Sequence, residues 1–226
     1  MNKIKGVIFD FNGVLWWDSH IVERSWREYV SKKYNKQLDG STIQNRIHGR
    51  SCRETLEFLE GRKLEGEELK HLIAEKESHY KKLCLDEGEN FKLSPGSETL
   101  FEYLEKRNIP YTIATSSDIG NTTFFFDNLN LNRWFDFDKV AYDDGLMSGK
   151  PAPDLYIKAA ENLGLSPADC MVIEDARSGI QAAISAHIGT VVALGPKNTH
   201  NDLMQIKDVT KTIERVDEII AIISST

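Results

Sequence analysis

A chain of 226 residues, 40% hydrophobic and 28% charged, is long enough to bury a sizeable core without disulfide or metal staples. The formal net charge of -7 argues against nucleic acid as a partner, because that affinity comes from neutralising phosphates with Lys and Arg. No stretch is long and apolar enough to span a bilayer, and the three cysteines, Cys52, Cys84 and Cys170, fit neither a zinc spacing nor an even disulfide framework.

Residues 1–5 lead directly into an apolar run, without a cationic segment, a long apolar stretch and a small-residue cleavage site, so the expected compartment is the cytoplasm. Val7, Ile8 and Phe9 are β-favouring and uninterrupted by polar residues, as in a parallel strand covered by helices on both faces. Asp10 follows at the strand's carboxyl end, ahead of a turn at Gly13. Open α/β sheets place their ligands at that edge, and a carboxylate there is costly unless a charge or a hydrogen-bond donor meets it.

From Asp18 the pattern becomes helical. Val22, Trp26, Tyr29, Val30 and Lys33 step by three or four residues, with Asp18 or Ser19 as the candidate N-cap. Further helices are predicted over 41–48, 51–60 and 66–85, the last with Leu69, Leu72, Ile73, Tyr80, Leu83 and Cys84 on one stripe. Residues 17–87 contain no convincing strand and read as an all-helical unit inserted after the first strand.

Ser94-Pro95-Gly96 closes the insert, and strand–helix alternation begins. A helix through Leu100, Phe101 and Leu104 leads to strand 111–114, then Thr115-Ser116-Ser117 and a helix through Phe124, Phe125 and Leu129. Residues 140–142 form a candidate third strand before the Gly149-Lys150-Pro151 loop and a helix with Tyr156, Ala159, Ala160 and Leu163. Strand 170–173 ends in Glu174-Asp175, a helix covers 179–187, and the last predicted strand is 190–194. Alternation of this kind specifies a parallel sheet with right-handed crossovers. The expected fold class is therefore α/β, a Rossmann-like parallel-sheet core formed by 1–16 and 88–226, with 17–87 as the inserted helical domain.

Residues just past adjacent parallel strands become neighbours although they lie far apart in sequence. Here they are Asp10, Thr115, the loop carrying Lys150, and Glu174-Asp175. Three carboxylates gathered at one edge repel each other unless a hard divalent cation sits among them, and oxygen donors suit magnesium. An ammonium, a hydroxyl and free helix-start amides suit a phosphate. The constellation reads as phosphoryl transfer to an aspartate.

These motifs resemble those of the haloacid dehalogenase superfamily, in the branch that holds β-phosphoglucomutase and related sugar-phosphate phosphatases. The opening motif stands as Asp10-Phe11-Asn12-Gly13-Val14, the second as Thr115, the lysine motif as Gly149-Lys150-Pro151-Ala152-Pro153-Asp154, and the acidic motif as Val172-Ile173-Glu174-Asp175. The resemblance implies Asp10 as the nucleophile, with Thr115, the Ser116 amide and Lys150 holding the phosphoryl oxygens. It implies Mg2+ held by Asp10, the main-chain carbonyl of Asn12, Asp175 and Glu174, the last directly or through water. It also implies that the helical insert is a cap that closes the site, with the His48-Gly49-Arg50-Ser51 loop and Lys76 facing substrate; an ordinary exposed charge is the competing reading of Arg50 and Lys76. Trp16 and Trp17 fall in the first hinge and are expected to pack between cap and core.

Asn12 departs from the family pattern, which has a second aspartate there as general acid and base. Asparagine hydrogen-bonds but exchanges no proton, a loss worth roughly 10²- to 10⁴-fold in rate. A second polar position, a histidine four residues before the tryptophan in mutase-like sequences, is Val22 here, with His20 nearby as a partial substitute. The sequence therefore points to a Mg2+-dependent phosphatase, monomeric or weakly dimeric, acting on a small phosphorylated metabolite of the sugar-phosphate type. A phosphohexomutase is the alternative enzyme, and a catalytically weak phosphate-metabolite binder is the alternative of another class.

Overall fold

The computed structural model describes residues 3–225. Strand β1 (Gly6–Phe9) lies at the centre of a sheet that is parallel throughout. Beside it are β2 (Tyr111–Asp118) and β3 (Ala141–Asp143) on one side, and β4 (Cys170–Glu174), β5 (Thr190–Leu194) and β6 (Lys211–Ile213) on the other. The order is 3-2-1-4-5-6. Strands β1, β4 and β5 are buried at every residue, which is why they are apolar runs instead of alternating ones. Val7, Phe9, Met171, Ile173 and Val192 point into one core, while Ile8, Val172, Val191 and Ala193 point into another on the opposite face.

The first face is aromatic. Phe101, on helix α5 (Ser97–Lys106), meets Phe9 edge-on at 5.7 Å, stacks on Tyr111 at 5.5 Å and touches Phe135 at 5.1 Å. The second face is lined with alanines and lies under α7 (Asp154–Asn162) and α8 (Arg177–Ser185). Small side chains let these helices approach the strands that carry the acidic loop.

Between β1 and α5 come four helices with an apolar cluster of their own: α1 (Ser19–Tyr34), α2 (Gly40–Arg46), α3 (Cys52–Glu60) and α4 (Gly66–Asp86). Helix α1 buries Ile21, Trp26, Tyr29 and Val30 at helical spacing and stops where Asn35 turns left-handed at φ 51°. Helix α3 starts with a capping box in which Ser51 and Glu54 satisfy each other's backbone amides. The two ends of this insert meet, because the Ser94 amide donates to the Leu15 carbonyl at 2.8 Å.

Four details differ from the sequence reading. Asp18 occupies the N-cap position of α1, but its side chain makes no capping bond and serves another purpose. Strand β2 continues past Ala114 to Asp118, with a register irregularity against β3 over that stretch. Trp16 is buried against Phe91 at 5.0 Å as expected, whereas Trp17 is 40% exposed and does not fill the hinge. The C-terminal elements were not anticipated: β6 is only three residues long, and α9 (His200–Met204) and α10 (Ile219–Ser224) are too short to show a period. Because Phe101 is fully buried among four rings, Phe101→Ala is expected to lower unfolding free energy by about 3–5 kcal/mol in denaturant titration.

Candidate active site

Strand register places the acidic residues. Phe9 pairs with Ile113 on one side and Ile173 on the other, so Asp10, Ala114 and Glu174 form the next row, with Thr115 and Asp175 one residue beyond. The chain leaves β1 toward β2 and returns on its other side as β4, which makes this edge the topological switch point.

Lys150 reaches this edge from the loop before α7 and is fully buried. Its ammonium donates to Asp10 Oδ1 at 2.5 Å and to Glu174 Oε1 at 2.8 Å, and lies 5.0 Å above the Tyr156 ring. Burial disfavours the charged lysine, but the two carboxylates outweigh it and hold its pKa above the ordinary value. Glu174 is fully engaged: the Tyr156 hydroxyl donates to Oε1 at 3.2 Å and the Ala176 amide to Oε2 at 2.6 Å. Asp175 is the opposite case, with no hydrogen bond or ion pair for its carboxylate among the described residues.

One oxygen from each of Asp10, Glu174 and Asp175 lies within 4.8 Å of the others. Three carboxylates against one ammonium leave two negative charges uncompensated, with Asp10 and Glu174 buried and Asp175 half-buried. Burial pushes Asp10 up to about 7, with Lys150 opposing and Glu174 adding to the rise. Asp175 is also pushed well above its ordinary value, by burial and by both neighbouring carboxylates. An oxygen-only donor set with that charge and one unspent carboxylate fits a hard divalent cation. Gly13 forms part of the cradle: at φ 85°, a Cβ there would lie 2.1 Å from Asp175 Oδ2.

Asn12 is locked. Its Nδ2 donates to Asp18 Oδ2 at 2.7 Å and to the Tyr80 hydroxyl at 3.1 Å, and its Oδ1 accepts from Ser117 at 3.0 Å. Asp18 is wholly buried and also accepts from the Tyr80 hydroxyl and from the Gly13 amide at 3.1 Å. Burial raises its pKa against those hydrogen bonds. Asp18 therefore fixes the amide at position 12 instead of capping α1.

The helical insert forms the roof of a cavity of about 620 Å3 whose wall includes Asp10, Asn12, Thr115, Ser116 and Asp175. Gly49 sits at φ 68° with its would-be Cβ 2.3 Å from Ser178 Oγ, so only glycine lets this loop meet the core. The Ser116 hydroxyl donates to the Gly49 carbonyl at 3.3 Å, Ser178 to the His48 carbonyl at 3.2 Å, and Arg50 to the Lys150 carbonyl at 2.6 Å. Lys76 also lines the cavity and is only 4% exposed, so it is no ordinary surface charge. His20 does not line it: this side chain is 64% exposed and turns toward Glu87, 3.7 Å away, which removes it as a substitute for the group missing at Val22.

The structure thus brings Asp10, Asn12, Thr115, Ser116, Gly49, Arg50, Lys76 and Asp175 to one cavity, with Lys150 and Glu174 buried beside it. Sequence reasoning missed Asp18, Tyr80, Ser117, Glu77 and Tyr156. Asp18 reads locally as a cap and Tyr80 as one member of an apolar stripe, and no local signal marks their meeting across 62 positions.

A parallel sheet with carboxylates at its switch point and an inserted helical roof defines the capped α/β hydrolases. Residues 4–187 match the haloacid dehalogenase-like hydrolase family, and the chain belongs to it. It is 31% identical to β-phosphoglucomutase of Bacillus subtilis, over 95% of each chain, and 30% identical to a phosphorylated carbohydrates phosphatase of Thermotoga maritima, over 82% of each. The crystal structure of a family IA, variant 3 haloacid dehalogenase hydrolase from Entamoeba histolytica superposes with a TM-score of 0.83 at 36% identity, covering 97% of this chain and 99% of that one.

Removing the ammonium of this acidic cluster should expose the charge imbalance. Lys150→Met is expected to cost about 3–5 kcal/mol in unfolding free energy. Without the ammonium that opposes the rise, Asp10 must take up a proton to stay buried, so its folded pKa lies further above the unfolded one. Stability is then retained at low pH and lost as pH rises, and denaturant titration should show a larger deficit at pH 8 than at pH 5.

Proposed function

We propose that this protein is a Mg2+-dependent phosphatase that hydrolyses a small phosphorylated metabolite, a sugar phosphate, through an aspartyl-phosphate on Asp10. The observation that carries the reading is the placing of Asp10 at the switch point, between the Lys150 ammonium and the free Asp175 carboxylate, in a cavity roofed by a helical unit. In this reading residues 17–87 are the cap and residues 1–16 with 88–226 the catalytic core.

An Asp10 carboxylate oxygen attacks phosphorus, the bond to the ester oxygen breaks, and the leaving alcohol takes up a proton. Water then attacks the phosphorus of the acyl phosphate, releases inorganic phosphate and restores the carboxylate. The Thr115 hydroxyl, the Ser116 amide and Lys150 hold the phosphoryl oxygens. Asp10, the carbonyl of residue 12 and Asp175 would hold Mg2+, with Glu174 acting through water because its oxygens already accept from Lys150, Tyr156 and Ala176. When bound, the cation supplies charge neutralisation that lets an anionic nucleophile meet an anionic phosphate. Gly49 and Arg50 seat the cap loop, and Lys76 faces the leaving group.

Asn12 spends both amide protons and an oxygen lone pair on Asp18, Tyr80 and Ser117, so it holds backbone geometry and carries no proton. Slow turnover follows. Return of the phosphoryl group to a sugar hydroxyl needs that hydroxyl deprotonated, and the wall offers Val22 where such chemistry would act while His20 faces away. Hydrolysis is favoured over a mutase reaction on that ground.

The expected outcomes are these. Phosphate release from a panel of sugar phosphates should require Mg2+ and stop with a chelator, and Asp10→Asn should form no acid-labile phosphoenzyme; undiminished turnover in either case would sink the mechanism. Protons compete with the cation for the same carboxylates, so the Mg2+-induced rise in Tm should be larger at pH 8 than at pH 6. Asn12→Asp alone would set a second carboxylate against Asp18, where the amide now stands 2.7 Å away, and should lose stability with little gain in rate. The double variant Asn12→Asp with Asp18→Asn keeps one charge and one amide in the pair, and should speed decay of the phosphoenzyme by about 10²-fold or more in rapid-quench kinetics.

A further inference from the structure

Away from Asp10 and Asp175, the cavity wall comes from α1, from the 47–53 segment, from α4, from α6 (Ile119–Leu129) with the strand end before it, and from the loop after β3. Its cations are already partnered. Lys76 donates to Glu77 at 3.0 Å and lies over the rings of Trp26 and Tyr80, at 4.5 and 4.9 Å. Arg50 is bound to the Lys150 carbonyl at 2.6 Å and lies 3.8 Å from Glu54. Lys70 pairs with Glu67 at 2.8 Å, and Arg53 points at the Gly145 carbonyl at 3.5 Å.

The same wall holds four carboxylates, those of Glu77, Asp118, Asp143 and Asp144. Glu77 is buried and held in place by the Asn121 amide at 2.5 Å. Burial works against its charge, but Lys76 and Asn121 outweigh that and keep its carboxyl below the usual value. Glu77 thus stays ionised and cancels the charge of Lys76, while two of the lysine's three N–H groups remain free for hydrogen bonds.

We propose that this half of the site selects the monophosphate of a neutral polyhydroxy compound and turns away esters that carry a second anionic group. The inference rests on the phosphatase reading of the other half. With Glu77 and Lys76 cancelling each other, a second phosphate would meet Asp118, Asp143 and Asp144 against Arg53, whose hydrogen-bond partner is a neutral carbonyl, and like charges brought together in a desolvated site cost several kcal/mol. Hydroxyl groups fit both partners, accepting from Lys76 and donating to the carboxylates. Glu77 acts as the discriminating residue because it converts a lysine that would attract anions into a hydroxyl donor.

The test compares phosphate release from glucitol 6-phosphate with that from fructose 1,6-bisphosphate and 6-phosphogluconate. Binding of the same three compounds to Asp10→Asn is measured by calorimetry in parallel. The polyol monophosphate should be preferred by about tenfold or more in both readouts. Glu77→Gln should narrow that preference by about tenfold, through a lower KM for the compounds with two anionic groups, and Asp118→Asn should move it in the same direction if the first variant fails to fold. Equal or better use of the bisphosphate by the unaltered protein overturns the proposal. Hydrolysis without preference would sink the selectivity and leave the phosphatase standing. Preferential binding with no phosphate released from any ester, p-nitrophenyl phosphate included, would sink the phosphatase and leave the selectivity standing.

Discussion

The buried ammonium of Lys150 governs this structure. Lys150 has no exposure to solvent and sits between Asp10 and Glu174, with Tyr156 beneath it. A charge in that position is tolerable only if its partners are fixed, and each of them is. Asp10 is set by the register of β1 between its two neighbours, while Glu174 is tied by Tyr156 and by the amide that follows β4. The helices that bring Tyr156 and Ala176 into range pack on the sheet through alanines. The small-residue face of the core is therefore a requirement of the site as much as of the fold.

The imbalance that remains after Lys150 is satisfied defines what the site can accept. A pocket with two surplus negative charges and one unengaged carboxylate stays cohesive with a divalent cation bound, or with protons in its place. Catalysis and stability meet in these few groups. The Asn12–Asp18–Tyr80 cluster is a second, separate solution a few ångströms of backbone away: there the carboxylate is satisfied by an amide, a phenol and a peptide N–H, with no cation among them.

The strands of the core were legible because burial on both faces leaves uninterrupted apolar runs, and the ends of those runs carry Asp10, Thr115 and Glu174-Asp175. The motif order supplied Lys150 for the same reason, since the loop that bears it is fixed relative to the strands. What the sequence concealed depends on contacts between distant positions. Asp18 has the look of a helix cap until Tyr80 and Asn12 are seen to claim its oxygens, and Glu77 has the look of a solvated helix charge until Lys76 and Asn121 close around it. His20 and Trp17 fail in the other direction, because local spacing says which residues are near the hinge but not which way they turn. Short C-terminal elements escaped because three to six residues carry no period.

The hydrogen bond from the Ser94 amide to the Leu15 carbonyl ties the beginning of the helical insert to its end. An excursion of more than seventy residues thus departs from and returns to nearly the same spot, so the core perceives it as a short connection and its loop-closure entropy is borne inside the insert's own packing. A unit attached in this way behaves as a cassette. What it shares with the core is a set of polar contacts at the sheet edge, Arg50 on the Lys150 carbonyl and Asp18 with Tyr80 on Asn12, so a replacement unit has to bring the same groups to the same places.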